Sequence, residues 1–172
     1  MTKIGLLSDT HGHWDDRLAA FFESCDEIWH AGDIGDLEVA DIMASFKPFK
    51  AVHGNIDDHK LRLVYPKIQQ FLCEGVDVFM THIGGVPDRY EHTVYPIIES
   101  HPPKLFICGH SHILKVMFDK KMNFLYMNPG AAGIHGFHKF RTALRFTIDG
   151  SDIKDLEVLE IPRRNPKIQI QK

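Results

Sequence analysis

Only three cysteines, Cys25, Cys73 and Cys108, occur in the 172 residues, and no pair has Cys-x-x-Cys spacing. Neither a disulfide framework nor a thiolate metal site is indicated; the expectation is three buried thiols in a reducing cytoplasm. Long apolar runs are missing as well. None approaches the roughly 18 residues that a membrane span needs, and the opening MTKIGLLSD reaches an acid too early for a signal peptide. Positive charge is also short: a net charge of −3 argues against a stable nucleic-acid groove. The tail RRNPKIQIQK, with four positive charges and no acid, reads as a solvated terminus. There is no P-loop and no G-x-G-x-x-G. With no repeat, low-complexity tract or linker either, residues 1–172 read as one domain. A chain of this size buries about 68–70% of its extended surface.

What is present is an ordinary composition, 44% hydrophobic and 25% charged, with an unusual twelve histidines. The first half alternates. KIGLLS reads as an apolar strand, Asp15 to Cys25 as a helix, EIWHA as a strand, LEVADIMASF as a helix and FKAVH as a strand. Such strand–loop–helix units favour parallel pairing. The second half reads as hairpins: KIQQFL with DVFMT, KVMF with FLYM, and TALRFTI with IKDLEVLEI across an Asp-Gly turn. One helix is expected near Tyr90 to Ser100. The pattern predicts mixed sheets sandwiched between helices.

Polar residues gather just past the strands. Asp9 and His11 follow the first, Asp33 the second, Asn55 the third, His82 a fourth, and His110 and His112 a fifth. Ligands in open α/β sheets bind beyond the carboxyl ends of strands, so these ends would converge. The pairs Asp9/His11 and His110/His112 stand at i, i+2, which in extended backbone turns both members the same way. Gly12, Gly32, Gly54 and Gly109 allow sharp turns and close approach there. Taken singly, each residue is better read as a turn or surface residue. Seven together point to metal. Carboxylate, amide and imidazole donors without thiolate suit Mn, Fe, Co, Ni or Zn. Seven donors exceed one ion's needs, whereas two ions about 3.5–4 Å apart, bridged by a carboxylate, would use them.

In order, the blocks DTH (9–11), GD (32–33), GN (54–55), His82 and GHSH (109–112) resemble those of the calcineurin-like metallophosphoesterases. The length and the NPG at 128–130 look like that superfamily's small bacterial and archaeal phosphodiesterase branch. The resemblance implies an α/β fold, a four-layer α-β-β-α sandwich of two mixed sheets flanked by helices. It gives one metal Asp9, His11, Asp33 and His112, and the other Asp33, Asn55, His82 and His110, with Asp33 bridging. It further implies a phosphodiesterase that hydrolyses a small phosphodiester with a hydroxide bridging two divalent ions. Manganese is the first choice, with Ni, Fe, Co or Zn as alternatives. Catalysis through that hydroxide would fall to Asp33, Asn55 and His82. A homo-oligomer is compatible with this reading.

Two residues depart from the family pattern. Many members read G-N-H-D, with a histidine that protonates the leaving oxygen; here Ile56 stands in GNID and can donate no proton. Ile83 replaces the usual small residue after His82. His30 is expected to support a ligand from behind, and His53 to pack or contact substrate. His135, His138, Lys139 and Arg141 are expected at the surface, with phosphate binding the sharper alternative, and His13, His59, His92 and His101 at the surface. A rival is a non-catalytic protein-binding scaffold of this fold, as in a retromer subunit of the same superfamily. A serine hydrolase is disfavoured because Ile113 replaces the second glycine of G-x-S-x-G.

Overall fold

A computed structural model describes residues 1–163 of the chain. The basic tail from residue 164 onward lies outside the described residues, and with it most of the expected solvated terminus. The chain begins with β1 (Thr2–Leu7), α1 (Asp16–Phe22), β2 (Glu27–His30), α2 (Leu37–Phe46) and β3 (Phe49–Ala51). It continues through α3 (His59–Val64), β4 (Ile68–Cys73), β5 (Val76–Thr81) and the short pair β6 (Gly85–Val86) and β7 (Arg89–Tyr90). After α4 (Tyr95–Ser100) and β8 (Leu105–Ile107) come β9 (Leu114–Asp119), β10 (Phe124–Pro129), β11 (Phe140–Asp149) and β12 (Asp152–Pro162).

Two five-stranded sheets result, in the orders β12-β11-β1-β2-β3 and β4-β5-β8-β10-β9. The first is parallel over β1-β2-β3, where crossover helices join the strands, and antiparallel over β12-β11-β1; the second is parallel over β5-β8-β10 and antiparallel at both edges. The Asp149-Gly150 turn closes β11 on β12 with Asp149 opposite Asp152, as Asp-Gly predicts.

Alternation along the strands divides their side chains between layers. In β1, Ile4 and Leu6 join Trp29, Met80, Ile107 and Phe146 in the core between the sheets. Leu7 faces the other way, onto Leu18, Phe22, Val39, Met43 and Leu61 of α1, α2 and α3. The far face of the second sheet packs Phe79, Phe106 and Tyr126 against Val94 and Ile98 at α4. The architecture is a four-layer α-β-β-α sandwich. Each large side chain buried in these layers contributes roughly 1.5–3 kcal/mol.

Local details differ from the sequence reading. The first helix ends at Phe22, not Cys25. The helix expected from Tyr90 starts at Tyr95, because residues 85–90 fold into the β6–β7 hairpin. The one-and-a-half-turn α3 carries no long apolar period to announce it; Asp58 caps it by accepting the Leu61 N–H.

Candidate metal centre

β1, β2 and β3 run parallel in one sheet and β5 and β8 run parallel in the other, and all seven candidate ligands follow their carboxyl ends. Backbone hydrogen bonds lace the loops together. Asp9 N–H donates to Gly32 O, His11 N–H to Asp33 O, and Gly109 N–H to His82 O, at 2.9, 3.0 and 2.9 Å.

The i, i+2 pairs are not extended. Asp9, His11, Asp33, His110 and His112 all have left-handed backbone, with φ of 54°, 46°, 55°, 69° and 60°. The expectation of extended pairs is corrected: each strand ends before its ligands, and tight loops present them. Such a conformation costs a non-glycine residue about 1–2 kcal/mol, so five of them together are strain held by the surrounding bonds. Two glycines make the crowding feasible. A Cβ at Gly54 would sit 2.0 Å from Asp33 Oδ1, and one at Gly32 would meet the His82 ring at 2.7 Å.

The side chains converge in two groups, Asp9 with His11 and His112, and Asp33 with His82 and His110. Donor atoms about 2.1 Å from one ion stand roughly 3–3.5 Å apart. Asp9 Oδ1 lies 3.1 Å from His112 Nε2, Asp33 Oδ2 lies 3.2 Å from His82 Nε2, and Asn55 Oδ1 lies 3.0 Å from His110 Nδ1. Asp33 Oδ2 is also 3.6 Å from His11 Nε2 and so faces both groups. Asp9 Oδ1 faces both too, but at 3.9 Å from His11 and 3.8 Å from His82 it is the more distant bridge.

Asp9 Oδ1, His11 Nε2 and His82 Nε2 are buried without a hydrogen-bond partner. Three buried acceptor-capable atoms left without partners, two of them 3.9 and 3.8 Å from the third, Asp9 Oδ1, are costly in an empty protein and natural around cations. The donor set therefore fits divalent metal. Charge agrees. Burial opposes ionisation of Asp9, but His112, His82 and Ser8 beside it hold its carboxyl below the usual range. Asp33 is likewise held low against its burial, chiefly by His82. Burial pushes the His11 imidazole down, whereas Asp33 and Asp9 lift that of His82 despite burial.

Neighbouring groups fix which ring nitrogen faces the centre. His82 Nδ1–H donates to Ala31 O at 2.7 Å, leaving Nε2 for the site. His138 Nε2–H donates to Gly133 O at 2.8 Å, so its Nδ1 accepts from His112 Nδ1–H at 3.3 Å and turns His112 Nε2 inward. Burial pushes the His138 imidazole down, toward the neutral form that this role uses. His30 acts from behind. Burial pushes it down to about 4; its Nδ1 accepts the Gly32 N–H, and its Nε2–H donates to Thr10 Oγ1, which donates to Ile34 O. This chain ties the β1 loop to the β2 loop.

Several supports went unread in the sequence. Ser8 Oγ–H donates to Asp9 Oδ2 at 2.6 Å. The buried Asp57 carboxylate accepts the N–H groups of Ile34, Gly35 and Gly54, clamping the β2 loop to the β3 loop. Asn128 Nδ2 donates to Gly109 O and Ser111 Oγ, steadying the GHSH loop. The NPG and GNID blocks drew attention to their neighbours; the clamping roles depend on tertiary contacts.

Other expectations sort as follows. Arg141 is not a surface phosphate holder: it is buried, ion-paired to Asp15 at 2.7 Å and bonded to Ala132 O. His138 is half-buried behind His112, while the exposed His135 lays its ring 4.8 Å from that of His11. His53 Nδ1–H donates to Tyr65 O at 2.9 Å. His59, His92 and His101 are exposed, and His13 is half-buried against Asp15. The cleft over the centre, ≈ 540 Å³, has Ile56, Ile113 and Phe137 on its walls. Cys25, Cys73 and Cys108 are free and buried. No described helix is long and apolar enough to cross a membrane.

The family model of the calcineurin-like phosphoesterase superfamily domain matches residues 2–151. A probable metallophosphoesterase of Mycoplasma pneumoniae is 30% identical over 163 residues, covering 91% of this chain and 96% of that protein. Among solved structures, an archaeal phosphodiesterase superposes with a TM-score of 0.71 at 21% identity, covering 91% of this chain and 99% of the other. Vps29 of Chaetomium thermophilum superposes with a TM-score of 0.73 at 13% identity, covering 96% and 100%.

Proposed function

Because the chain belongs to the calcineurin-like phosphoesterase superfamily, we propose that it is a metal-dependent phosphodiesterase with a dinuclear centre, manganese being the first candidate. Asp9, His11, Asp33 and His112 would hold one ion, and Asp33, Asn55, His82 and His110 the other. The observation that carries this reading is the pair of ligand groups, Asp9/His11/His112 and Asp33/His82/His110, with Asp9 Oδ1, His11 Nε2 and His82 Nε2 buried and unpartnered. Bound ions would supply Lewis-acid activation of water and neutralise charge on the phosphate.

The chain's own groups do the rest. Asp33 offers Oδ2 to both halves while its Oδ1 accepts the Ile56 N–H at 3.0 Å, which stops the carboxylate from rotating. The Ala31 and Gly133 carbonyls fix the tautomers of His82 and, through His138, of His112. Asn55 and His110 are the exposed members of the set and both line the cleft, open to incoming substrate. Asn55, with Asp33 and His82, carries the catalytic assignment. The Ile56 side chain lines the same cleft and has no proton to give a leaving oxygen, so leaving groups that tolerate negative charge are favoured. That favours diesters with acidic leaving groups over alkyl monoesters.

The interleaved core between the sheets supports reading the chain as one domain, and three free thiols fit a reducing compartment such as the cytoplasm. The likeness to Vps29 keeps a protein-binding scaffold as the rival. Seven ligand-capable side chains, five of them on strained left-handed backbone, favour catalysis, since a scaffold has no use for the strain.

The test is metal-stripped protein, reloaded with single metals and assayed on matched mono- and diesters. Hydrolysis of diesters by reloaded protein alone is expected. Metal binding without turnover on any phosphoester would favour the scaffold.

A further inference from the structure

Asn55 borders two cavities. One is the cleft over the metal centre. The other, ≈ 290 Å³, shares Asn55 with it and has His82 on its own wall, just under the roughly 300–1,000 Å³ typical of small-molecule sites. His53, Arg62, Lys67, Thr81, Ile83 and Glu91 complete its wall.

Its charges are unbalanced. Arg62 donates from Nε to Asp57 O and from Nη2 to the Gly54 and Asn55 carbonyls, at 2.7, 3.3 and 3.2 Å. These neutral acceptors pin the guanidinium against the Asn55 loop without cancelling its charge. Lys67 Nζ makes no ion pair among the described residues; only its backbone carbonyl is engaged, by Thr81 Oγ1. The single acid on the wall, Glu91, bonds within its own segment, to the Thr93 and Val94 N–H groups and His92, and pairs with neither cation. His53 commits Nδ1 to Tyr65 O and keeps Nε2 uncommitted. Two unpaired cations, one of them rigidly placed, face a cavity one residue from the reaction centre.

We propose that this cavity is a subsite for a second phosphate carried by the substrate, so that the preferred substrates are phosphodiesters bearing an additional phosphate monoester. The proposal rests on the phosphodiesterase reading above. A diester phosphorus has two substituents, and the site offers two directions that meet at Asn55. The cleft side is apolar at its rim, with Ile113 66% exposed and Phe137 fully so, and suits the uncharged group. The Arg62–Lys67 side suits the dianion, whose charge-assisted bonds a planar guanidinium and an ammonium satisfy together.

The experiment compares two probes, the p-nitrophenyl ester of a nucleoside 5′-phosphate with and without a 3′-phosphate, on manganese-loaded protein. A kcat/KM roughly tenfold higher for the doubly phosphorylated ester is expected. That preference should fall to near unity in Lys67→Gln and persist in Lys67→Arg. In calorimetry without turnover, a nucleoside 3′,5′-bisphosphate should bind Lys67→Gln about tenfold more weakly than the unmodified protein. Equal rates on both esters, or a preference that survives Lys67→Gln, overturn the subsite and leave the phosphodiesterase reading standing. Hydrolysis of neither ester overturns both.

Discussion

Asp33 Oδ2 lies 3.2 Å from His82 Nε2, joining a carboxylate that follows β2 to an imidazole that follows β5. The two strands belong to different sheets, so this contact spans the seam of the sandwich. The ligand set exists only when the sheets are docked. The core of Trp29, Met80, Ile107 and Phe146 beneath it is therefore part of the site's precision.

Replacing Asp33 with asparagine keeps the shape and removes the charge shared by the two groups. Hydrolysis by Asp33→Asn is expected to fall by roughly 10²–10³-fold or more, the size of loss typical when a charge-stabilising group is removed. The fold should persist, because the residue lies outside the apolar clusters. Steady-state kinetics beside circular dichroism checks both. Near-normal turnover with a full metal complement would remove Asp33 from the bridging role.

His138 should matter without touching metal. It holds His112 in the tautomer that turns Nε2 inward, and such outer partners are worth about 10–100-fold in metal affinity. His138→Ala should weaken binding of the ion assigned to Asp9, His11, Asp33 and His112 by that factor, read by competition with a chelating dye. Unchanged affinity would mean that His112 is oriented by its loop alone.

Five strand-end blocks were readable in the sequence because each pairs a ligand type with a strand end, and parallel topology brings such ends together. The sandwich was readable from crossovers early and hairpins late. Left-handed backbone at Asp9, His11, Asp33, His110 and His112 was not, since i, i+2 spacing says nothing about φ once a strand has ended. Arg141 looked exposed because its partner Asp15 stands 126 residues earlier. The β6–β7 hairpin is two residues a side, too short for alternation to register.

On the proposed phosphodiesterase reading, Ile56 should set a preference among substrates. A missing general acid costs about 10²–10⁴-fold where the leaving group is poor. Aryl phosphodiesters should therefore outpace alkyl phosphomonoesters by a margin of that order. Ile56→His, at a position 45% exposed in the cleft, should raise monoester turnover. If the unmodified enzyme already prefers the monoester in kcat/KM, another group donates the proton, and His135 beside His11 is the first to mutate.

Asp15 gives a pH-dependent stability. Its burial opposes ionisation, but Arg141, the Leu18 N–H and His13 hold its carboxyl well below the usual range. A depressed folded-state pKa stabilises above the unfolded value of about 4 and is lost as pH falls below it. Asp15→Ala removes the α1 cap and leaves Arg141 buried and unpaired, which should cost about 2–4 kcal/mol at pH 7. Urea unfolding should show that deficit steady from pH 7 to about 5 and narrowing toward pH 3. A deficit unchanged across the whole range would contradict the ion-pair account.

The dinuclear claim is tested most directly by titrating metal-stripped protein with manganese while following both bound metal and hydrolysis of bis(p-nitrophenyl) phosphate. Turnover is predicted to be absent in stripped protein and to level off when a second ion has bound per chain. Turnover that survives exhaustive stripping, or none after two ions are bound, would contradict it.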